Sequence, residues 1–170
     1  MNRLILLFAM LSLAASSWAA DVQPRTLDKA TVLPLALDDA FQFRKTVTFL
    51  NDPELNKPSL DQMINFERQR INFGAINGYE RRQRYGHYFT FFWRSTRKAN
   101  LTVRFEYRQQ NLGAHVQARE LDYADAKGSY KSVFNIIGDD YSEDGKISGW
   151  RVILIENGKI VGLNQSFLWN

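Results

Sequence analysis

Asp139-Asp140-Tyr141-Ser142-Glu143-Asp144-Gly145 is where residue type and spacing come nearest to a recognisable chemistry. Asp140, Ser142, Asp144 and Gly145 fall at the first, third, fifth and sixth positions of a calcium loop, where oxygen ligands alternate and glycine makes the sharp turn. The twelfth position calls for a bidentate glutamate, and Arg151 stands there, inside a predicted strand. Without that ligand the stretch reads as an ordinary acidic turn over 138–146. His87 and His115 open separate predicted strands and are too few for a rich metal cluster. There is no cysteine, which excludes thiol nucleophiles and thiolate ligands, and no Gly-x-Ser-x-Gly elbow. The acidic residues are scattered, and no spacing pairs two of them in a cleft. The expectation is therefore no catalysis, no cofactor and no bound metal.

Recognition is a better fit to the residues Tyr88, Phe92, Arg94, Arg104 and Arg108. If Phe89, Phe91 and Trp93 point to a core, strand alternation turns Tyr88, Thr90, Phe92 and Arg94 away from it. A hairpin loop over 95–100 would return the next strand beside them, with Arg104 and Arg108 in reach. Aromatic rings interleaved with arginines can stack on sugars or nucleobases and pair with anions. The competing reading covers Tyr88 and Phe92 with the N-terminal arm, or with a helix through Met63 and Phe66, because exposed apolar patches are uncommon. Arg81, Arg82 and Arg84, with Arg97 and Lys98, form a second basic set. It suits anionic lipid or polysaccharide, or simply a solvated face.

Several elements must position these side chains. Asn157-Gly158 between the apolar runs 150–156 and 159–163 is a strong hairpin signal, since a two-residue type I′ turn needs positive φ at both central positions. The register it implies sets Leu154 opposite Val161 and Val152 opposite Leu163. Trp150, Val152, Leu154, Val161 and Leu163 would then face a core, leaving a mixed face with Arg151, Ile153, Ile155 and Ile160. Residues 101–110 alternate cleanly, with Leu101, Val103, Phe105 and Tyr107 inward. Residues 41–50 alternate too, with Phe41, Phe43, Val47 and Phe49 on one side and Lys45 as the exception. Strands are also predicted over 87–94, 115–123 and 130–137. Ser59 and Gln62 form a capping-box pattern for one short helix over 59–68.

Met1-Asn2-Arg3, the apolar run 4–13 and Ser17-Trp18-Ala19 have the three parts of a secretory signal peptide, with cleavage expected after Ala19. The apolar run is shorter than the roughly 20 residues that span a bilayer. The expected organisation is a signal peptide at 1–19, an N-terminal arm at 20–39 and a single domain at 40–170. The net charge of +4 is mildly basic, too weak by itself to argue for nucleic acid. Aromatic residues make up 14% of the chain, mostly Phe and Tyr, which favours strands over a helical bundle.

Gly149-Trp150-Arg151-Val152 through Asn157-Gly158 to Gln165-Ser166-Phe167-Leu168-Trp169 resembles the closing hairpin of immunoglobulin-like sandwich domains in bacterial exported proteins. Residues 88–107 resemble the central strands of such domains. The likeness covers the C-terminal half and is one of architecture, since the antibody-type disulfide is absent. It implies a mainly β, antiparallel immunoglobulin-like β-sandwich with one short helix, and no activity. The function expected is a non-catalytic binding or assembly module of the bacterial cell envelope, periplasmic or secreted. Its partner would be an anionic envelope polymer or an envelope protein, with membrane contact only if the leader stays uncleaved. The alternatives are a small hydrolytic enzyme, which needs a cleft joining His87 or His115 to carboxylates, and a membrane-tethered structural protein.

Overall fold

The computed structural model describes residues 23–52, 54 and 59–169, and the expected signal peptide lies outside them. In chain order the elements are β1 (Arg25–Leu27), β2 (Phe41–Asn51), α1 (Gln62–Asn72), α2 (Gly78–Arg82), β3 (Gly86–Gln109), β4 (Gln117–Ile137), α3 (Asp139–Asp144), β5 (Ile147–Glu156) and β6 (Lys159–Gln165). The protein is mainly antiparallel β, as expected. An immunoglobulin-like sandwich calls for two sheets, whereas the described strands join one.

That sheet is built on β3, a single strand of 24 residues. Two strands and a hairpin loop at 95–100 were expected here. The segment Ser-Thr-Arg-Lys-Ala-Asn is polar but has neither glycine nor proline to reverse the chain, and β3 passes through it. Register shifts between Ser95 and Ala99, and again between Ala99 and Leu101, mark a bulged corner. Opposite, the expected loop at 124–129 is likewise part of β4, with Asp125 and Gly128 at φ of 52° and 105°. Bulges bend a strand and sharpen its twist. β4 follows one edge of β3 past the corner, while β2 pairs with the first half of the other edge and β5 with the second.

The bend folds the sheet onto itself. Phe89 and Phe91 of the first half meet Phe105 of the second, with ring centroids 4.7 and 5.4 Å apart. Leu101, Val103, Phe105 and Tyr107 are buried as their alternation predicts, and Trp93, Phe134, Ile136, Val152 and Leu154 complete this core. Burying large apolar side chains between two faces is the main favourable term in such a domain.

Two bulges revise the expected faces. In β2 a shift between Phe43 and Lys45 turns Val47 and Phe49 outward with Lys45, opposite Thr90, Tyr88 and Phe92. In the closing hairpin a shift between Leu154 and Ile155 sets Leu154 opposite Gly162 and Ile153 opposite Leu163. Leu163 is therefore exposed, and Ile153, Ile155 and Ile160 form a second buried cluster closed by Leu33 of the arm. The arm is tied to β6 by Ile160 N–H donating to Pro34 O at 2.9 Å and Ala36 N–H donating to Ile160 O at 2.8 Å. At its other end β1 pairs with β4, so the arm straps the outer face of the second half of the sheet.

The turn itself is as expected: Asn157 and Gly158 have φ of 50° and 72°. A Cβ on Gly158 would meet nothing within 4 Å, so Gly158→Val should act through the backbone alone. We expect a loss of about 1–2 kcal/mol by chemical denaturation, the usual cost of left-handed backbone for an L-residue.

The helices also differ from expectation. Asp61, not Ser59, caps α1, its Oδ1 accepting from Met63 N–H at 2.8 Å. Ser59 instead donates its N–H to Asn65 Oδ1 at 2.9 Å, so the helix begins three residues later. The acidic stretch read as a turn is the short helix α3, and Asp140 pairs with Arg119.

Candidate binding face

Directly opposed residues on antiparallel strands share a face, so the registers define rows across the first half of the sheet. The outward rows are Phe49–Tyr88–Asn135, Val47–Thr90–Val133, Lys45–Phe92–Lys131 and Gln42–Arg94–Ser129. Phe92, Val47 and Val133 are 36%, 41% and 36% exposed, and Lys45, Arg94 and Lys131 are exposed beside them. Among the described residues none of these three cations is paired with a carboxylate. Tyr88 is half-buried: its hydroxyl donates to Arg84 O at 2.7 Å and its ring lies 6.5 Å from Phe49. Burial pushes its phenol up to about 12, so it remains a neutral donor.

The five residues expected to act together are thus divided. Tyr88, Phe92 and Arg94 share the open face. Arg104 and Arg108 lie beyond the corner, because the strand that carries them bends instead of turning back. Arg104 is 7% exposed and cannot join a surface site. Its Nε donates to Glu120 Oε1 at 2.7 Å and its Nη1 to Thr31 O at 3.0 Å, with Glu106 Oε1 3.7 Å away. Arg25 closes on Glu120 at 2.6 Å and Arg151 on Glu106 at 2.6 Å. These five charges form a ladder under the arm. Arg108 lies over the Trp169 ring, 4.6 Å from its centroid. Val47, Lys45, Lys131 and Val133 were not expected at a site. The sequence signal for the first two was Lys45 itself, which breaks the alternation of β2 at the bulge.

Comparison with family models, with curated proteins and with solved structures found no match. The site therefore has to be judged on its own chemistry.

A second cluster gathers titratable groups. Asp52, at the end of β2, accepts from the Tyr141 hydroxyl at 3.0 Å and pairs with Lys146 Nζ at 2.7 Å. Burial alone would push its carboxyl up, but the Lys146 ammonium, Glu54 N–H and Tyr141 hydroxyl hold it below the usual carboxylate range. His87 stands beside this group, its ring against Phe89 and Tyr141 and its Nε2 accepting from Ile147 N–H at 3.3 Å. The cluster brings His87 near a carboxylate, but its hydrogen bonds are spent inside the fold: Asp52 is 2% exposed and the imidazole nitrogen is engaged by backbone. His115 is exposed and lies on the turn before β4. Among the described residues no three His, Asp or Glu side chains converge as metal ligands.

Burial, reinforced by Lys146, holds the His87 imidazole down at about 4. A base whose folded pKa is depressed binds fewer protons than in the unfolded chain. Its stability contribution is full above the unfolded value near 6.5 and declines as pH falls toward about 4. We expect stability to drop by on the order of 2–3 kcal/mol across that window. His87→Gln should flatten the slope, as read from denaturant midpoints against pH. An unchanged slope would place the titration elsewhere.

Proposed function

We propose that the protein is an exported, non-catalytic binding module of the bacterial cell envelope. The open face of the first half of the sheet would take an anionic polysaccharide. The observation that supports this is the row Lys45–Phe92–Lys131, an exposed ring flanked on both neighbouring strands by ammonium groups, with Arg94 in the next row. A ring face held open between cations can stack on a sugar while the cations meet carboxylate or phosphate groups. Val47, Thr90 and Val133 extend the same surface with apolar contact. The site makes no demand for metal, nucleophile or base. Nor does it depend on an immunoglobulin-like relationship, which we retain only as a proposal about architecture.

Affinity for polygalacturonate, with neutral dextran and single-stranded oligothymidine as comparisons, tests this. Wild type should bind polygalacturonate in preference to dextran. The affinity should fall steeply between about 0.05 and 0.5 M salt, because exposed charge contacts are screened within roughly 8–10 Å at ordinary ionic strength. Phe92→Ala/Arg94→Gln, shown to be folded, should bind at least about tenfold less tightly. Full retention by the folded variant would overturn the site. Equal or tighter binding of the oligonucleotide would overturn the ligand class.

A further inference from the structure

The segment 60–82 packs only lightly, and α1 has no buried residue. Its half-buried side chains include Ile64, Arg68 and Ile71, which follow one helical face. The other face carries Met63, Phe66, Arg70 and, just past the end, Phe73, at the spacing of one stripe. Met63 and Phe66 are more than half exposed, and Phe73 and Ile76 are 85% and 86% exposed. An ordinary surface helix turns such a stripe inward; here it points away from the sheet. The orientation is fixed from behind. Arg84 donates to the carbonyls of Ile71 and Phe73, and Asn51 Nδ2 donates to Asn72 Oδ1 at 3.2 Å.

Residues 60–82 carry four arginines, at 68, 70, 81 and 82, against three acids. Each of these acids is engaged: Asp61 caps α1, Glu67 pairs with Arg70 at 2.8 Å, and Glu80 accepts from Ile76 N–H at 2.7 Å. Arg81 and Arg82 are exposed and have no carboxylate partner among the described residues. They follow Tyr79, itself 70% exposed, with Glu80 between them. Exposed apolar and aromatic side chains together with exposed arginines on one limb complement an anionic lipid surface. The rings enter the headgroup boundary while the guanidinium groups meet lipid phosphates. A second copy of this chain fits less well, since it would bring like charges together. No helix among the described residues is long and apolar enough to cross a membrane, so the contact concerns the interface.

We propose that the limb formed by residues 60–82 docks the folded domain onto anionic bilayers. This is independent of the polymer site, which lies on the sheet, and of any anchoring by the first twenty residues. The chain has no cysteine, so single cysteines can carry an environment-sensitive fluorophore. Label Phe73→Cys or Ile76→Cys in the limb and Lys159→Cys beside the β5–β6 turn, each in the full chain. Then add vesicles of phosphatidylglycerol with phosphatidylethanolamine, or of phosphatidylcholine alone. The limb probes should shift to the blue and brighten with the anionic vesicles only, and the turn probe should not respond. Arg81→Gln/Arg82→Gln should weaken the limb response by about tenfold or more, and Phe92→Ala/Arg94→Gln should leave it unchanged. Three outcomes would overturn the proposal: a silent limb probe, an equal shift with phosphatidylcholine, or a shift that follows protein concentration without lipid. The last would assign the stripe to self-association.

Discussion

Phe105→Ala is expected to lower stability by about 3–5 kcal/mol, a large share of the roughly 5–15 kcal/mol that holds a domain of this size. Phe105 is fully buried where the two halves of the bent sheet meet. Its ring touches Phe89 and Phe91 from the first half and Tyr107 and Phe134 nearby, and lies 6.5 Å from Trp150. Truncation removes contacts on both layers at once and leaves a cavity that two hydrogen-bonded sheet halves can close only in part. Trp150, expected from the sequence to face the core, is only half-buried at the edge of the same cluster, and its loss should cost less. Phe92→Ala, on the outer side of the same strand, should cost no more than about 0.5–1 kcal/mol. Denaturant midpoints at unchanged slope decide between these expectations. Equal losses at Phe105 and Phe92 would mean that the fold of the sheet onto itself is wrong.

Glu120→Ala should be comparably damaging, at roughly 3–5 kcal/mol, for an electrostatic reason. Glu120 accepts from both Arg25 and Arg104, and Arg104 is buried beneath the arm with only Glu106 and Thr31 O left to face it. A buried guanidinium stripped of its main partner pays its desolvation without return. Replacing the pair together, as Arg104→Met/Glu120→Leu, should recover most of the loss, because a matched apolar pair avoids that penalty altogether. Thermal or chemical denaturation of the single and double variants measures the difference. A double variant as unstable as the single one would show that the ladder specifies the arm's position and not merely its own balance.

Much of the fold was legible from local pattern, and little of its connectivity was. The clean alternation of 101–110 and the Asn157-Gly158 turn report interactions within a few residues, and both hold. The corner at 95–100 depends on bulges matched across two strands, with Asp125 N–H donating to Asn100 Oδ1 at 2.8 Å, which no single-strand pattern reveals. Reading that corner as a hairpin loop put Arg104 and Arg108 beside Tyr88, Phe92 and Arg94. Their outward period was right, but the outer face changes character at the bend: open on one side, strapped by the arm on the other. The arm's own reach could not be read either, because Leu33 packs against the second core cluster while Val32, Leu35 and Leu37 close beside it remain exposed. Lys45 is the instructive residue. It marks the bulge that turns Val47 and Phe49 outward, and it stands in the row that carries the proposed site.

The most direct measurement is amide chemical-shift mapping of the isotopically labelled protein during titration with an oligogalacturonate at low salt. The perturbed amides should cluster at Lys45, Val47, Phe92, Arg94, Lys131 and Val133, and the perturbations should reverse as salt is raised. Shifts centred on Arg104 and Arg108, or on the limb at 60–82, or no saturable shifts at all, would contradict a binding face on the first half of the sheet.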